Sequence, residues 1–139
     1  MMVRDWMTRE VSSVRRNDKL SIADDVMRLG RIRHMPVLDD HSDDLVGIVS
    51  QRDLFRGALA GALGYGHHAQ QQVMDTLVIK EIMSTDPVTT TPDTPLTDAA
   101  RLMLERKVGC LPVVEDGRLI GILTESDVLR FAVEHAGRA

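Results

Sequence analysis

The sequence is short of several things. It has one cysteine, Cys110, so no disulfide framework can form, which fits a reducing cytoplasm. It has one tryptophan, one tyrosine and two phenylalanines, too few for a surface that stacks single-stranded bases. It lacks a basic excess: the formal charge is −4, which argues against nucleic acid or an anionic membrane as the main partner. No apolar run approaches the roughly 20 residues that cross a bilayer. The opening MMVRDWMTREV carries an acid early and no apolar core of a signal peptide. The expectation is a soluble, cytoplasmic protein without a membrane partner. What is present suffices for a core, since 43% of the 139 residues are hydrophobic and 27% charged.

The chain also contains much of itself twice. LVGIVSQRD, Leu45 to Asp53, returns as LIGILTESD, Leu119 to Asp127. A shift of 76 lays Val3-Arg4-Asp5-Trp6-Met7-Thr8 on Ile79-Lys80-Glu81-Ile82-Met83-Ser84. It also lays Leu20, Ala23 and Met27 on Leu96, Ala99 and Met103, and Met35-Pro36-Val37 on Leu111-Pro112-Val113. The shift then falls to 74, because the first copy has a longer loop, Asp39 to Asp44, and Gly47, Ser50 and Asp53 meet Gly121, Thr124 and Asp127. The expected division is a first unit over 1–60, a linker over 61–76 and a second unit over 77–139.

Each copy reads as helix turn, strand, helix, strand, hairpin, strand, helix. Leu96, Ala99 and Met103 fall on one helical face, and Thr94 with Pro95 is expected to open that helix as cap and first residue. Glu115-Asp116-Gly117-Arg118 reads as a tight turn between Leu111–Val114 and Leu119–Thr124. The closing helices have wide apolar surfaces, with Leu54, Phe55, Ala58 and Leu59 in one and Val128, Leu129, Phe131 and Val133 in the other. Such helices have more than one packing partner, and a homodimer is expected. The segment 57–77, with Gly61, Gly64 and Gly66, suggests a helix fraying into a loop.

Ser50-x-x-Asp53 and Thr124-x-x-Asp127 have the spacing of capping boxes, with Asp in the place of Glu. A carboxylate fixed there can also accept from both hydroxyls of a ribose, beside amides that favour phosphate. The two roles are compatible. His67 and His68 are adjacent and do not share a helix face, so no metal is expected of them. Asp39 to Asp44 lacks the Gly and terminal Glu of a calcium loop and reads as a solvated hairpin loop. No nucleophile stands beside a base, so no enzyme is expected.

In register over nearly the whole chain, the repeat resembles the tandem cystathionine-β-synthase (CBS) domain. The features are Met-Thr near the start, Pro in the middle strand and Gly-h-h-(Ser/Thr)-x-x-Asp at the end, where h is hydrophobic. The resemblance implies an α/β (α+β) fold of two β-α-β-β-α units packed with pseudo-twofold symmetry. It implies a regulatory module for an adenosyl ligand (AMP, ADP, ATP, NAD or S-adenosylmethionine), with no other cofactor and with an effector protein still to be named. The alternative is an interaction module with empty or degenerate sites. By resemblance, Ser50, Asp53, Thr124 and Asp127 hold ribose, and apolar Met35, Pro36, Val88, Leu111 and Pro112 enclose adenine. Arg33 and His34 reach phosphate, where the second copy has only Gly109 and Cys110. The resemblance further implies that each site joins the acid of one copy to the strand entrance of the other. Phosphorylated ligands are then expected to prefer Asp127.

Overall fold

The computed structural model describes residues 1–62 and 66–136; for 60–62 and 66–70 only the backbone is described. The chain forms two compact units. The mid-chain unit is Ser12–Asp86, and the two-ended unit joins Met1–Val11 to Pro87–Ala139.

In the mid-chain unit, β1 (Val14–Arg15) leads into α2 (Leu20–Gly30), β2 (His34–Leu38), β3 (Leu45–Ser50), α3 (Gln51–Ala62) and α4 (Gly66–Thr76). A 3-10 turn, Ile79–Glu81, and β4 (Ser84–Thr85) complete it. The sheet order is β1-β2-β3-β4, with β1 parallel to β2 and the other pairs antiparallel. In the two-ended unit, α1 (Val3–Trp6) joins α5 (Leu96–Arg106), β5 (Cys110–Glu115), β6 (Arg118–Thr124) and α6 (Glu125–Glu134). β5 and β6 pair antiparallel, flanked by single bridges from Thr90 to Val113 and from Thr8 to Ile122. Those bridges stand where β1 and β4 stand in the other unit, and a register shift recurs at Val37/Leu38 and Val113/Val114.

The helical triads are buried as their spacing predicts. Leu20, Ala23 and Met27 lie in one core with Met35, Val37, Val49 and Ile79. Leu96, Ala99 and Met103 lie in the other with Val3, Trp6, Leu111, Val113 and Leu123. The hairpin turn takes positive φ at Asp116 (52°) and Gly117 (78°), as a tight two-residue turn requires. Both helices α2 and α5 end on a left-handed residue that is not glycine, Arg31 and Lys107, whose amides close on Met27 and Met103. A cation there suits the negative helix end.

Two expectations need correcting. The helix cap is Pro95, and α5 starts at Leu96; the Thr94 hydroxyl pairs with that of Thr91 at 2.7 Å. The segment 57–77 is mostly helix, with Gly61 in α3 and Gly66 opening α4, while Gly64 lies outside the described residues. The compact units cut across the two repeats, each taking its opening segment from the other repeat. Thr8 amide and carbonyl pair with Ile122, and Gly47 and Ile48 pair with Thr85 and Ser84.

That exchange explains the glycine of the repeated motif. A Cβ on Gly47 would stand 2.7 Å from the Ser84 carbonyl oxygen and 2.8 Å from Met83 Sδ. On Gly121 it would stand 2.7 Å from Met7 Sδ and 3.0 Å from the Thr8 oxygen. Only a residue without a side chain lets the crossing Met-(Ser/Thr) segment so close.

Candidate functional site: two hydroxyl–acid helix caps

Each unit carries one strand-to-helix junction of the same design. In the mid-chain unit, β3 ends at Ser50, whose Oγ accepts from the Asp53 amide at 3.0 Å, while Asp53 Oδ2 accepts from the Ser50 amide at 2.8 Å. In the two-ended unit, Thr124 caps α6: its Oγ1 accepts from the Asp127 amide at 3.3 Å, and Asp127 Oδ2 accepts from the Thr124 amide at 3.0 Å. Both are reciprocal boxes, each worth about 1 kcal/mol to its helix. Each fixes a carboxylate at the positive end of a helix of ten or more residues.

The strand entrances abut these caps within the same unit. His34 is the register partner of Ser50, and Cys110 is that of Thr124. The first helical amides close on them: Gln51 donates to the Arg33 carbonyl at 2.8 Å, and Glu125 to that of Gly109 at 3.2 Å. Arg33 is exposed and His34 half-buried, so Asp53 has a basic entrance in its own unit. Half-buried Gly109 and buried Cys110 bring no charge to Asp127. Burial, and then Glu125, push the Cys110 thiol up to about 12, so it stays protonated and unreactive at neutral pH.

The acids differ more than their boxes. Asp53 is half-buried, and the Ser50 amide is its one hydrogen-bond donor among the described residues. Asp127 is 3% exposed and also receives the Thr124 hydroxyl (3.1 Å), the Thr8 hydroxyl (3.3 Å to each oxygen) and an ion pair from Arg130 (3.3 Å). Arg130 donates on to the Trp6 carbonyl at 3.2 Å and lies 5.5 Å over the indole. Trp6 meets Phe131 edge-on, and Phe131 stacks on His135 at 4.5 Å.

The residues expected to enclose adenine fare unequally. Met35 and Leu111 have no exposed area and belong to the two cores, because alternation along β2 and β5 points them inward. Their side chains offer no surface to a ring. Pro36 and Pro112 are also fully buried, and Val88 is half-buried against the core of the two-ended unit. Thr8, Trp6 and Arg130 were missed as site neighbours. Signals marked two of the three: hydroxyls Thr8 and Ser84 align, and Arg56 and Arg130 each follow their acid by three residues.

The loop Asp39 to Asp44 is organised from inside the unit, with Arg15 donating to the Asp39 and Ser42 carbonyls at 2.7 and 2.6 Å. Among the described residues no three His, Cys, Asp or Glu side chains group to hold a metal, and the His67-His68 side chains lie outside that set. No described helix is long and apolar enough to cross a membrane.

The CBS domain profile matches residues 3–60 and 79–134, one match per repeat. The chain belongs to the CBS domain family. The CBS domain-containing protein YhcV of Bacillus subtilis is 30% identical, over 99% of this chain and 91% of that one. The crystal structure of CBSX2 in complex with AMP is 34% identical, with a TM-score of 0.77 over 96% of each chain. The CBS domain pair of protein MJ0100, in complex with 5′-methylthioadenosine and S-adenosyl-L-methionine, is 27% identical, with a TM-score of 0.77 over 96% of this chain and 97% of that one. Among longer relatives the chain spans less: 23% of a homoserine O-acetyltransferase of Methanococcoides burtonii. This chain is thus a tandem CBS pair.

Proposed function

We propose that this CBS pair is a non-catalytic regulatory module that binds an adenosine-containing ligand and passes its occupancy to an effector protein or through its own assembly. The observation that carries the reading is the doubled hydroxyl–acid cap, a carboxylate fixed at a helix N-terminus in each repeat. A carboxylate so held accepts from a ribose diol, and the neighbouring amides favour phosphate. The likeness to CBSX2 in complex with AMP, and to the MJ0100 pair in complex with S-adenosyl-L-methionine, supports adenosine as the common part. ADP, ATP and NAD share it.

The assembly is proposed to be a homodimer in the cytoplasm, seated on the apolar faces of α3 and α6. Phe55 is 65% exposed and Leu129 63% exposed, large apolar groups left facing solvent. Light scattering at micromolar concentration checks this, and a monomer rejects it. The second reading, an interaction module with degenerate sites, draws on the buried and fully engaged Asp127.

A thermal-shift panel of AMP, ADP, ATP, NAD and S-adenosylmethionine separates the two readings. A true ligand at about 100 times its Kd adds about 2.7 kcal/mol. The double variant Asp53→Ala/Asp127→Ala should lose that gain. No shift with any compound supports the second reading. Sustained release of product from ATP that depends on a site residue would refute a non-catalytic role.

A further inference from the structure

The two carboxylates differ in spare capacity. An ionised carboxylate offers roughly four lone-pair directions. Asp53 uses one on the Ser50 amide and can receive both hydroxyls of a ribose. Asp127 already serves the Thr124 amide and hydroxyl, the Thr8 hydroxyl and the Arg130 guanidinium. Two further donors exceed its capacity. The Thr124 bonds belong to the helix cap, so the bonds to yield are those of Thr8 and Arg130.

Both of these lead to the same place. Thr8 and Trp6 lie in the opening segment, and Arg130 ties Asp127 to the Trp6 carbonyl and covers the indole face. Among the described residues the buried Trp6 indole N–H has no hydrogen-bond partner. Loosening the segment would return that N–H to water, which lowers the cost of the exchange. Among the described residues Asp53 has no such tie. The position of Trp6 is held by Ile82 in the second repeat, and Arg56 is exposed.

Resting on the adenosine reading above, we infer that Asp127 is a shared acceptor. In the ligand-free chain it tethers the opening segment to α6 through Thr8 and Arg130, and ribose binds it only in exchange for those bonds. The Asp53 site therefore fills first, and the Asp127 site fills at higher concentration with release of the segment that carries Trp6. This reverses the preference for Asp127 that the resemblance implies from its pairing of each acid with the strand entrance of the other copy.

The exchange is tested with the full chain and AMP, by calorimetry and by the emission of Trp6, the sole tryptophan. In an Asp53→Ala background only the Asp127 site is read. There, AMP should shift Trp6 emission to the red, and adding Thr8→Val with Arg130→Met should tighten AMP about tenfold. Unchanged affinity overturns the inference. Weaker binding of AMP but not adenosine in Arg130→Met also overturns it, because Arg130 is then a phosphate ligand. A double-mutant cycle of Thr8→Val with Asp127→Asn on ligand-free thermal unfolding reads the tether alone, and zero coupling overturns it. If the cycle shows coupling but wild type binds no adenosine compound, the binding reading fails and the exchange with it, while the tether stands.

Discussion

The mid-chain unit keeps its capping acid half-open beside a basic strand entrance, whereas the two-ended unit buries its acid beside a neutral one. The hydroxyl–acid pairs at the two sites differ in one residue type, Ser50 against Thr124, and in what surrounds them. The difference shows that a repeated motif conserves a backbone device, the cap, more firmly than it conserves a binding capacity. Capacity is set by neighbours from a distant part of the chain. Thr8 and Trp6 reach Asp127 and Arg130 across more than a hundred residues, |i−j| = 119 and 124.

The comparison can be broken most forcefully at the motif glycines. Gly47→Ala meets the backbone oxygen of Ser84, which has little freedom to retreat, and is expected to cost about 3 kcal/mol in urea unfolding. Gly121→Ala meets first the flexible Met7 side chain and should cost about 1 kcal/mol. Equal losses would mean that the two crossings are equally rigid.

The next effect comes from pH and concerns the two-ended unit alone. Cys110 holds its proton up to about 12 in the folded chain, against an ordinary value of 9.0. Between those values the folded form binds more protons than the unfolded one, so stability falls as pH rises through the window and is fully present below it. A loss of about 2 kcal/mol by about pH 10.5 is expected in wild type, and a flatter profile in Cys110→Ala. His34 stands at the corresponding register position of the mid-chain unit, so no thiol there contributes. Identical slopes in wild type and Cys110→Ala would contradict the assignment.

A smaller difference separates the acids without ligand. Asp127→Ala strips a buried network and should cost about 2 kcal/mol, Asp53→Ala about 1 kcal/mol. Calorimetric unfolding of the two variants checks the ratio. Smallest are the surface ion pairs of the equivalent helices α2 and α5: Arg28→Ala and Arg101→Ala should each change stability by less than about 0.5 kcal/mol.

Much of this was legible in the sequence. The triads Leu20-Ala23-Met27 and Leu96-Ala99-Met103 show a helical period because one face of each helix is buried, and both are. The capping boxes were legible because they are local, complete within four residues. The helix ends at Arg31 and Lys107 were not, since the sequence offers no glycine there. The exchange of opening segments was invisible for another reason. Sliding the chain on itself aligns equivalent residues, and says nothing of which copy an aligned residue packs against. The saturation of Asp127 follows from that exchange and stayed hidden with it.

The exchange also sets an order on synthesis. A growing chain leaves the ribosome from its N-terminus, and every piece of the mid-chain unit is out once residue 86 has emerged. Residues 1–11 must wait, because Leu96, Ile122 and Arg130, to which they bond, are made only after the mid-chain unit. Until then Val3, Trp6 and Met7 have no core to enter. Residues 1–11 are thus made before the rest of their unit and fold only with it, like a clasp that waits for its catch. Tryptophan emission followed on stalled chains of increasing length would change only after the α6 sequence has emerged.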